Sequence, residues 1–179
     1  MTGQDKCFFV NGDPPPDSGG EPLEEGYAWE IWKPSLGGIV PGGMPLLPFG
    51  AWWVLHHARI FSNKEYGIFL IRSMGAIVHR SVITPGYFRF PFMGKEDLQI
   101  GDTWTSEDHR GKGLAVFAIR RIVAVYARPG RRIWYLVDKN NLPSIKAAER
   151  AGLVRYGEGK RTKRFGVGLF GQYEIVTKF

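Results

Sequence analysis

Glu107-Asp108-His109-Arg110-Gly111-Lys112-Gly113-Leu114-Ala115 is the stretch on which the reading of this chain turns. A strand-like run at residues 98–105 precedes it, and a long apolar run of helical character at residues 113–127, stopped by Pro129-Gly130, follows it. The first N–H groups of a helix have no partners within the helix, and the aligned peptide dipoles put partial positive charge there. Gly111 and Gly113 carry no side chain to keep a ligand from those amides, while Arg110 and Lys112 add full positive charge. Such a loop suits a phosphate or pyrophosphate. It is not a Walker loop, which ends in Gly-Lys-Ser/Thr. Nor is it a dinucleotide fingerprint, because the third glycine is missing and the residues before it read as a hairpin, not the start of a parallel β-α-β unit. The plainer alternative is a tight strand-to-helix turn with no ligand.

Downstream, residues 132–137 are β-branched and aromatic and read as a strand. Asn141-Leu142-Pro143-Ser144 then opens a short helix over residues 144–151, with Pro143 near its first turn and Gly152 just past its end. Asn141 makes a good helix cap whatever else it does. Upstream, residues 26–32 alternate as a first strand, residues 49–61 have helical spacing, and residues 66–72 and 76–84 flank the turn Ser73-Met74-Gly75 as a hairpin. Residues 153–157 and 170–176 close the chain as strands. The order β, α, β-β-β, α, β, α, β-β is an α+β pattern with one mixed sheet.

Two of these features together, Arg110-x-x-Gly113-x-Ala115 opening the long helix and Asn141-x-x-Ser144 opening the short one about thirty residues later, resemble the signatures of the GNAT superfamily of acyl-CoA-dependent N-acyltransferases. The resemblance covers residues 98–157 closely and the hairpin before them more loosely. It implies a GNAT-like mixed, mostly antiparallel twisted sheet with helices on both faces. It implies acetyl-CoA (or another acyl-CoA) as co-substrate and no metal. By that resemblance Arg110, Gly111, Lys112, Gly113, Leu114 and Ala115 hold the pyrophosphate, and Thr103, Trp104 and Thr105 pair with the pantetheine arm as an extra strand would. Asn141 would bond the pantetheine or lie near the thiol, with Ser144 beside it, and Lys146 or Arg150 would meet the 3′-phosphate.

Acyl transfer from a thioester to an amine needs a neutral amine, a donor for the oxyanion and a proton for the thiolate. The family's oxyanion donor is a backbone N–H, here near residues 103–105. Its proton donor is commonly a tyrosine four residues before the short helix's terminal glycine, where this chain has Ala148. Tyr156 and Tyr135 are candidates for the missing acid by nearness in sequence, core packing being the plainer reading of both. For the base, Asp97, with Glu96 before it, starts the strand ahead of the loop. His79 lies on a hairpin strand expected to face the acceptor, and its ordinary pKa suits proton transfer near neutrality. A hydrogen-bonded strand histidine is its plainer reading. Asp102 and Glu107 read as surface or capping groups. His56 and His57, adjacent on a helix, point in different directions and make no metal pair.

The 179 residues are expected to form a flexible leader over residues 1–25, rich in Gly, Pro and acidic residues, and a single domain over residues 26–179. Charge is uneven. Residues 1–100 carry 8 Lys+Arg against 10 Asp+Glu, and residues 101–179 carry 16 against 7, so the second part suggests an anionic partner or a solvated basic face. Cys7 is the only cysteine, which excludes an intrachain disulfide and suits a cytoplasmic setting. The N-terminus lacks the apolar run of a secretory signal. Residues 34–58 hold no Asp, Glu, Lys or Arg, but four prolines and five glycines argue against a lipid-spanning helix and for a buried or cleft-lining segment. No membrane partner is therefore expected.

Residues 85–93 put four aromatics around Arg89, which suits either a wall for a bulky small-molecule acceptor, such as a nucleotide-linked amino sugar, or core packing, or a homodimer contact. Protein N-acetylation and an inactive acyl-CoA-binding module are the alternatives. No nucleic acid is expected, because Lys160-Arg161-Lys163-Arg164 belongs to no recognised nucleic-acid motif and reads as a solvated hairpin tip.

Overall fold

Residues 5–12, 23–162 and 171–179 are described by a computed structural model. In chain order they form β1 (Asp5–Asn11), β2 (Tyr27–Trp32), α1 (Leu46–His57), β3 (Gly67–Ser73), β4 (Ala76–Pro85) and β5 (Leu98–Thr105). A single 3₁₀ turn (Glu107–His109) follows, then α2 (Leu114–Tyr126), β6 (Ile133–Asp138), α3 (Leu142–Arg150), β7 (Leu153–Arg161) and β8 (Tyr173–Lys178). The strands make one mixed sheet in the order β2-β3-β4-β5-β6-β1-β7-β8. Every neighbouring pair is antiparallel except β5 and β6. The expected α+β architecture is the one that forms.

Period-2 alternation gives the sheet two apolar faces. On one, Phe69, Ile71, Ile83 and Ile100 pack with Ile119, Ile122 and Val123 of α2 and Ala148 of α3. On the other, Ile68, Leu70 and Val82 pack with Phe49 of α1 and with Tyr87 and Phe90. The β3–β4 hairpin turns at Met74 and Gly75, both at positive φ (49° and 80°), as the tightest hairpin turns require.

The expected leader needs correction over residues 5–11. β1 lies inside the sheet between β6 and β7, and Cys7, Phe8 and Phe9 have no exposed surface. Cys7 and Phe9 join the helix-covered core, while Phe8 meets Phe92 on the other face at 5.3 Å. A strand buried on both faces has no alternating pattern to show. The rest of that leader, apart from residue 12 and residues 23–25, lies outside the described residues. The uncharged segment is buried only in part, with Trp52 and Leu55 packed against the core around Phe49. Of its described residues only Pro41 and Phe49 are buried, and Leu36 and Leu47 are 84% and 79% exposed. Among the described residues no helix is long and apolar enough to cross a membrane.

The decisive feature is where β5 and β6 part. They pair through only Leu98–Ile133, Gln99–Trp134 and Ile100–Tyr135. Beyond that, β6 stays with β1 and β5 stays with β4 as far as Thr105. α2 begins soon after β5 ends and α3 soon after β6 ends, so the opening is flanked by two helix N-termini.

Candidate active site

A cleft of about 550 Å³ occupies this opening. Ten of the eleven residues named from sequence for cofactor binding line it: Thr103, Trp104, Thr105, Arg110, Gly111, Gly113, Leu114, Ala115, Asn141 and Ser144. The eleventh, Lys112, lines an adjoining hollow that shares Gly113 and Arg150 with it. Lys146 and Arg150 stand on the α3 side.

Gly111 and Gly113 have φ of 78° and 76°, left-handed conformations that cost a side-chain-bearing residue free energy. Neither would meet an atom within 4 Å through an added Cβ, so the glycines supply backbone handedness and an open surface. Gly113 caps α2 with no side-chain hydrogen bond, and its carbonyl accepts from Phe117 N at 2.9 Å. The first amides of α2 therefore stay free by position. Arg110 Nε donates to Thr105 O at 3.3 Å across the turn. Tyr27 on β2, which sequence reading missed, steadies the loop: its hydroxyl lies 2.7 Å from His109 Nδ1 and 3.3 Å from Lys112 Nζ. Nothing in its local pattern distinguished it from a strand aromatic. Phosphate oxygens fit this cradle, which offers open amides and cations: no described carboxylate lines the cleft, Glu107 beside it is paired with Arg110, and Glu24 lines only the adjoining hollow.

Across the cleft, Asn141 Oδ1 accepts from Ser144 N at 3.2 Å, so the expected cap forms. The floor is polar. The Tyr135 hydroxyl lies near the side chains of Thr103 and Ser144, and burial pushes its pKa up. Ser81 Oγ lies 3.1 Å from Thr103 Oγ1, and His79 lies 3.1 Å from Ser81 Oγ through Nε2 and 2.8 Å from Thr105 Oγ1 through Nδ1. A hydrogen-bonded chain thus runs under the β5 edge from Thr105 through the buried His79 and Ser81 to Thr103.

The three residues named for catalysis are not brought together. His79 is wholly buried and so has no surface to offer an incoming amine. Burial, helped by Arg80, lowers its pKa to about 4, and the neutral ring spends both nitrogens on hydroxyls. It reaches the cleft only indirectly, through the Thr105 hydroxyl and, by way of Ser81, the Thr103 hydroxyl. Asp97 accepts from Gly94 N at 2.8 Å, Arg132 N at 2.9 Å and Trp134 Nε1 at 3.0 Å. It ties the start of β5 to β6, roughly 20 Å of strand from Thr103. Tyr156 packs edge-on against Trp134 at 5.0 Å, at the end of the sheet where β5 and β6 are still paired. Tyr135, set beside Tyr156 from sequence, is the one with its hydroxyl under the cleft. Position 148 is a fully buried alanine. The aromatic insertion packs as core: Tyr87 and Phe90 are buried, and Phe90 stacks on Tyr173 at 5.3 Å.

The ladder between β4 and β5 adds a feature that sequence reading passed over. Its register jumps from Arg80–Trp104 to Val82–Gly101, so Asp102 and Thr103 together face Ser81. Asp102 has φ of 43°, in the left-handed region. Such a bulge leaves one residue's backbone groups out of the ladder and re-aims its neighbours, here just past the last β5–β6 pair.

The acetyltransferase (GNAT) family profile matches residues 29–153. Among solved structures the chain is similar to a GCN5-related N-acetyltransferase from Sphaerobacter thermophilus, with 19% identity and a TM-score of 0.61 over 88% of this chain and 50% of that one. It is also similar to a tandem GNAT protein from the clavulanic acid biosynthesis pathway, with 14% identity and a TM-score of 0.58 over 87% and 51% of the two chains. A third is a GCN5-related N-acetyltransferase-like protein from Streptococcus suis, with 18% identity and a TM-score of 0.53 over 86% and 58%. At these identities the likeness is one of fold, and the chain spans about half the length of the first two. No curated protein matches it.

Proposed function

The chain belongs to the acetyltransferase (GNAT) family, and from that premise we propose that it transfers an acetyl group from acetyl-CoA to the primary amine of a small molecule. The observation that carries this reading is the cleft at the parting of β5 and β6, lined by the open N-terminus of α2 and the exposed edge of β5. Acetyl-CoA supplies the acyl group as a thioester. The amides after Gly113, with Arg110 and Lys112, neutralise its pyrophosphate. The β5 edge at Thr103 and Thr105, which β6 has left, pairs with the pantetheine amides. The carbonyl then lies at the bulge, where a backbone N–H of Asp102 or Thr103 donates to the developing oxyanion. His79 acts here as a positioning residue that orients the Thr105 hydroxyl.

Calorimetry with acetyl-CoA and free-thiol release across a panel of amino sugars and small amines test this reading. Binding with turnover of at least one amine supports it, and absence of acetyl-CoA binding overturns it. A second reading, an acyl-CoA-binding module without turnover, is favoured by Ala148, which leaves the usual position of the proton donor without a hydroxyl. Binding without thiol release from any acceptor would select it.

A further inference from the structure

The β4–β5 ladder has a second side. Thr103 and Thr105 direct their hydroxyls to the face covered by α2 and α3, where Ser81 and His79 meet them. Trp104, between them, serves the opposite face. There the guanidinium of Arg80, directly across the ladder, lies 5.0 Å from the Trp104 ring and 5.0 Å from the ring of Phe49 on α1. Arg80 Nε also donates to Asp102 Oδ2 at 3.3 Å. Two rings and a carboxylate thus fix the guanidinium, while its side chain keeps 21% of its surface exposed. Its two terminal nitrogens make no hydrogen bond to any described residue.

A guanidinium held this way is a rigid fork with its outer donors free, a geometry that matches a carboxylate or a phosphate. Its location gives it meaning. Asp102, which steadies it, is the positive-φ residue of the bulge, and the bulge begins two residues past the last β5–β6 pair. The fork therefore stands beside the expected thioester carbonyl, on the face turned away from α2 and α3. Strain in a non-glycine backbone at such a spot is characteristic of positions kept for binding or catalysis.

We propose that Arg80, clamped by Phe49 and Trp104, is the acceptor-recognition residue, and that the acceptor amine carries an anionic group, a carboxylate or a phosphate, held by the Arg80 fork. This rests on the acetyl-transfer reading above. Arg80 takes no proton in the step: the amine nitrogen bonds the acetyl carbon, the carbon–sulfur bond breaks, and the proton shed by the amine ends on the thiol.

Thiol release is measured with acetyl-CoA and matched amines: an amino acid against its amide, and an amino-sugar phosphate against the unphosphorylated sugar. The anionic member of at least one pair is expected to be preferred in kcat/KM by roughly tenfold or more, and the preferred pair tells carboxylate from phosphate. Arg80→Lys keeps the charge and loses the fork. It should abolish most of that preference, raising the KM of the anionic amine far more than that of its neutral partner. Phe49→Leu removes one ring of the clamp and should weaken the preference to a lesser degree. Equal rates for anionic and neutral partners, or full preference in Arg80→Lys, overturn the proposal while the transfer reading stands. Acetyl-CoA binding without turnover of any amine overturns it as well. A chain that binds no acetyl-CoA overturns both.

Discussion

At its first turn α2 follows Gly113 with no side-chain cap, open backbone and exposed cations, whereas at its last turn its carbonyls are met from within the protein. Arg131 Nη1 donates to Tyr126 O at 3.2 Å, and the Lys33 ammonium lies over the Tyr126 ring at 4.8 Å. The Arg131 side chain is 2% exposed, with Glu96 at 3.6 Å and Glu65 at 4.0 Å balancing its charge. Both ends carry the partial charge that a helix dipole demands be answered. One end is answered by the chain itself, and a hollow of about 480 Å³ beside it therefore lacks electrostatic demand for a ligand. The other is left for something else to answer. A basic patch alone does not separate the two, since cations cluster at both; the partners of those cations do.

The comparison breaks most visibly if a carboxylate is built into the open end. Aspartate tolerates the left-handed backbone better than most residues, and an added Cβ at Gly113 meets nothing within 4 Å. Gly113→Asp should therefore fold, yet weaken acetyl-CoA binding roughly a hundredfold, about 3 kcal/mol, when titrated by calorimetry. An affinity within a few-fold of wild type would mean that the free amides are not where the pyrophosphate lies.

Stability below neutral pH offers a test almost as large, because the open end is backed by the buried His79 chain. The unfolded chain takes up a proton on this histidine near pH 6.5, while the folded one resists until about pH 4. Stability is therefore complete above pH 6.5 and drains as pH falls toward 4, by ~3 kcal/mol in all. In His79→Asn that slope should vanish, so that urea-denaturation curves of the two proteins converge on acidification. Parallel curves from pH 7 to pH 4.5 would show that folding does not depress the pKa of His79.

At the closed end, Arg131→Met removes the guanidinium that joins two carboxylates to the helix carbonyl. Glu65 and Glu96 are partly exposed, which moderates the cost, and a loss of about 2 kcal/mol in denaturant unfolding is expected. The affinity for acetyl-CoA should not move. A weakened affinity would mean that the two ends are coupled.

The open end was legible in sequence because its signal is local: Arg110, Gly111, Lys112 and Gly113 are contiguous, and Asn141 caps the helix it precedes. The β5 bounds and the hairpin were legible for the same reason. The strand β1 was not, since Cys7-Phe8-Phe9-Val10 is apolar toward both faces and sits before a Pro- and Gly-rich stretch that dilutes it. The catalytic residues were harder still, because their roles depend on pairings across the sheet. His79 carries the right chemistry, but only its register against Thr105 shows that it is sealed under the strand. Asp97 lies next to β5 in sequence, but at the end of that strand remote from the loop. Arg80 carries no motif, and only the bulge at Asp102 brings it to the parting strands.

The N-terminus of α3 is intermediate between the two ends of α2, and it yields the smallest but most discriminating test. Its cap is answered internally, by Asn141 Oδ1 to Ser144 N, yet Asn141 also lines the cleft, with its side-chain NH₂ bonded to no described residue. Asn141→Ser keeps a capping oxygen and deletes that NH₂. The capping scale predicts a stability change of no more than a few tenths of a kcal/mol, while loss of one hydrogen bond to the pantetheine should weaken acetyl-CoA by a few-fold, about 1 kcal/mol. Adenosine 3′,5′-bisphosphate, which has no pantetheine, should bind both proteins alike. Asn141→Ala gives the contrast, losing about 1 kcal/mol of stability as well. If Asn141→Ser binds acetyl-CoA as tightly as wild type while Asn141→Ala is destabilised, Asn141 is a cap and nothing more, and α3 belongs with the closed end of α2.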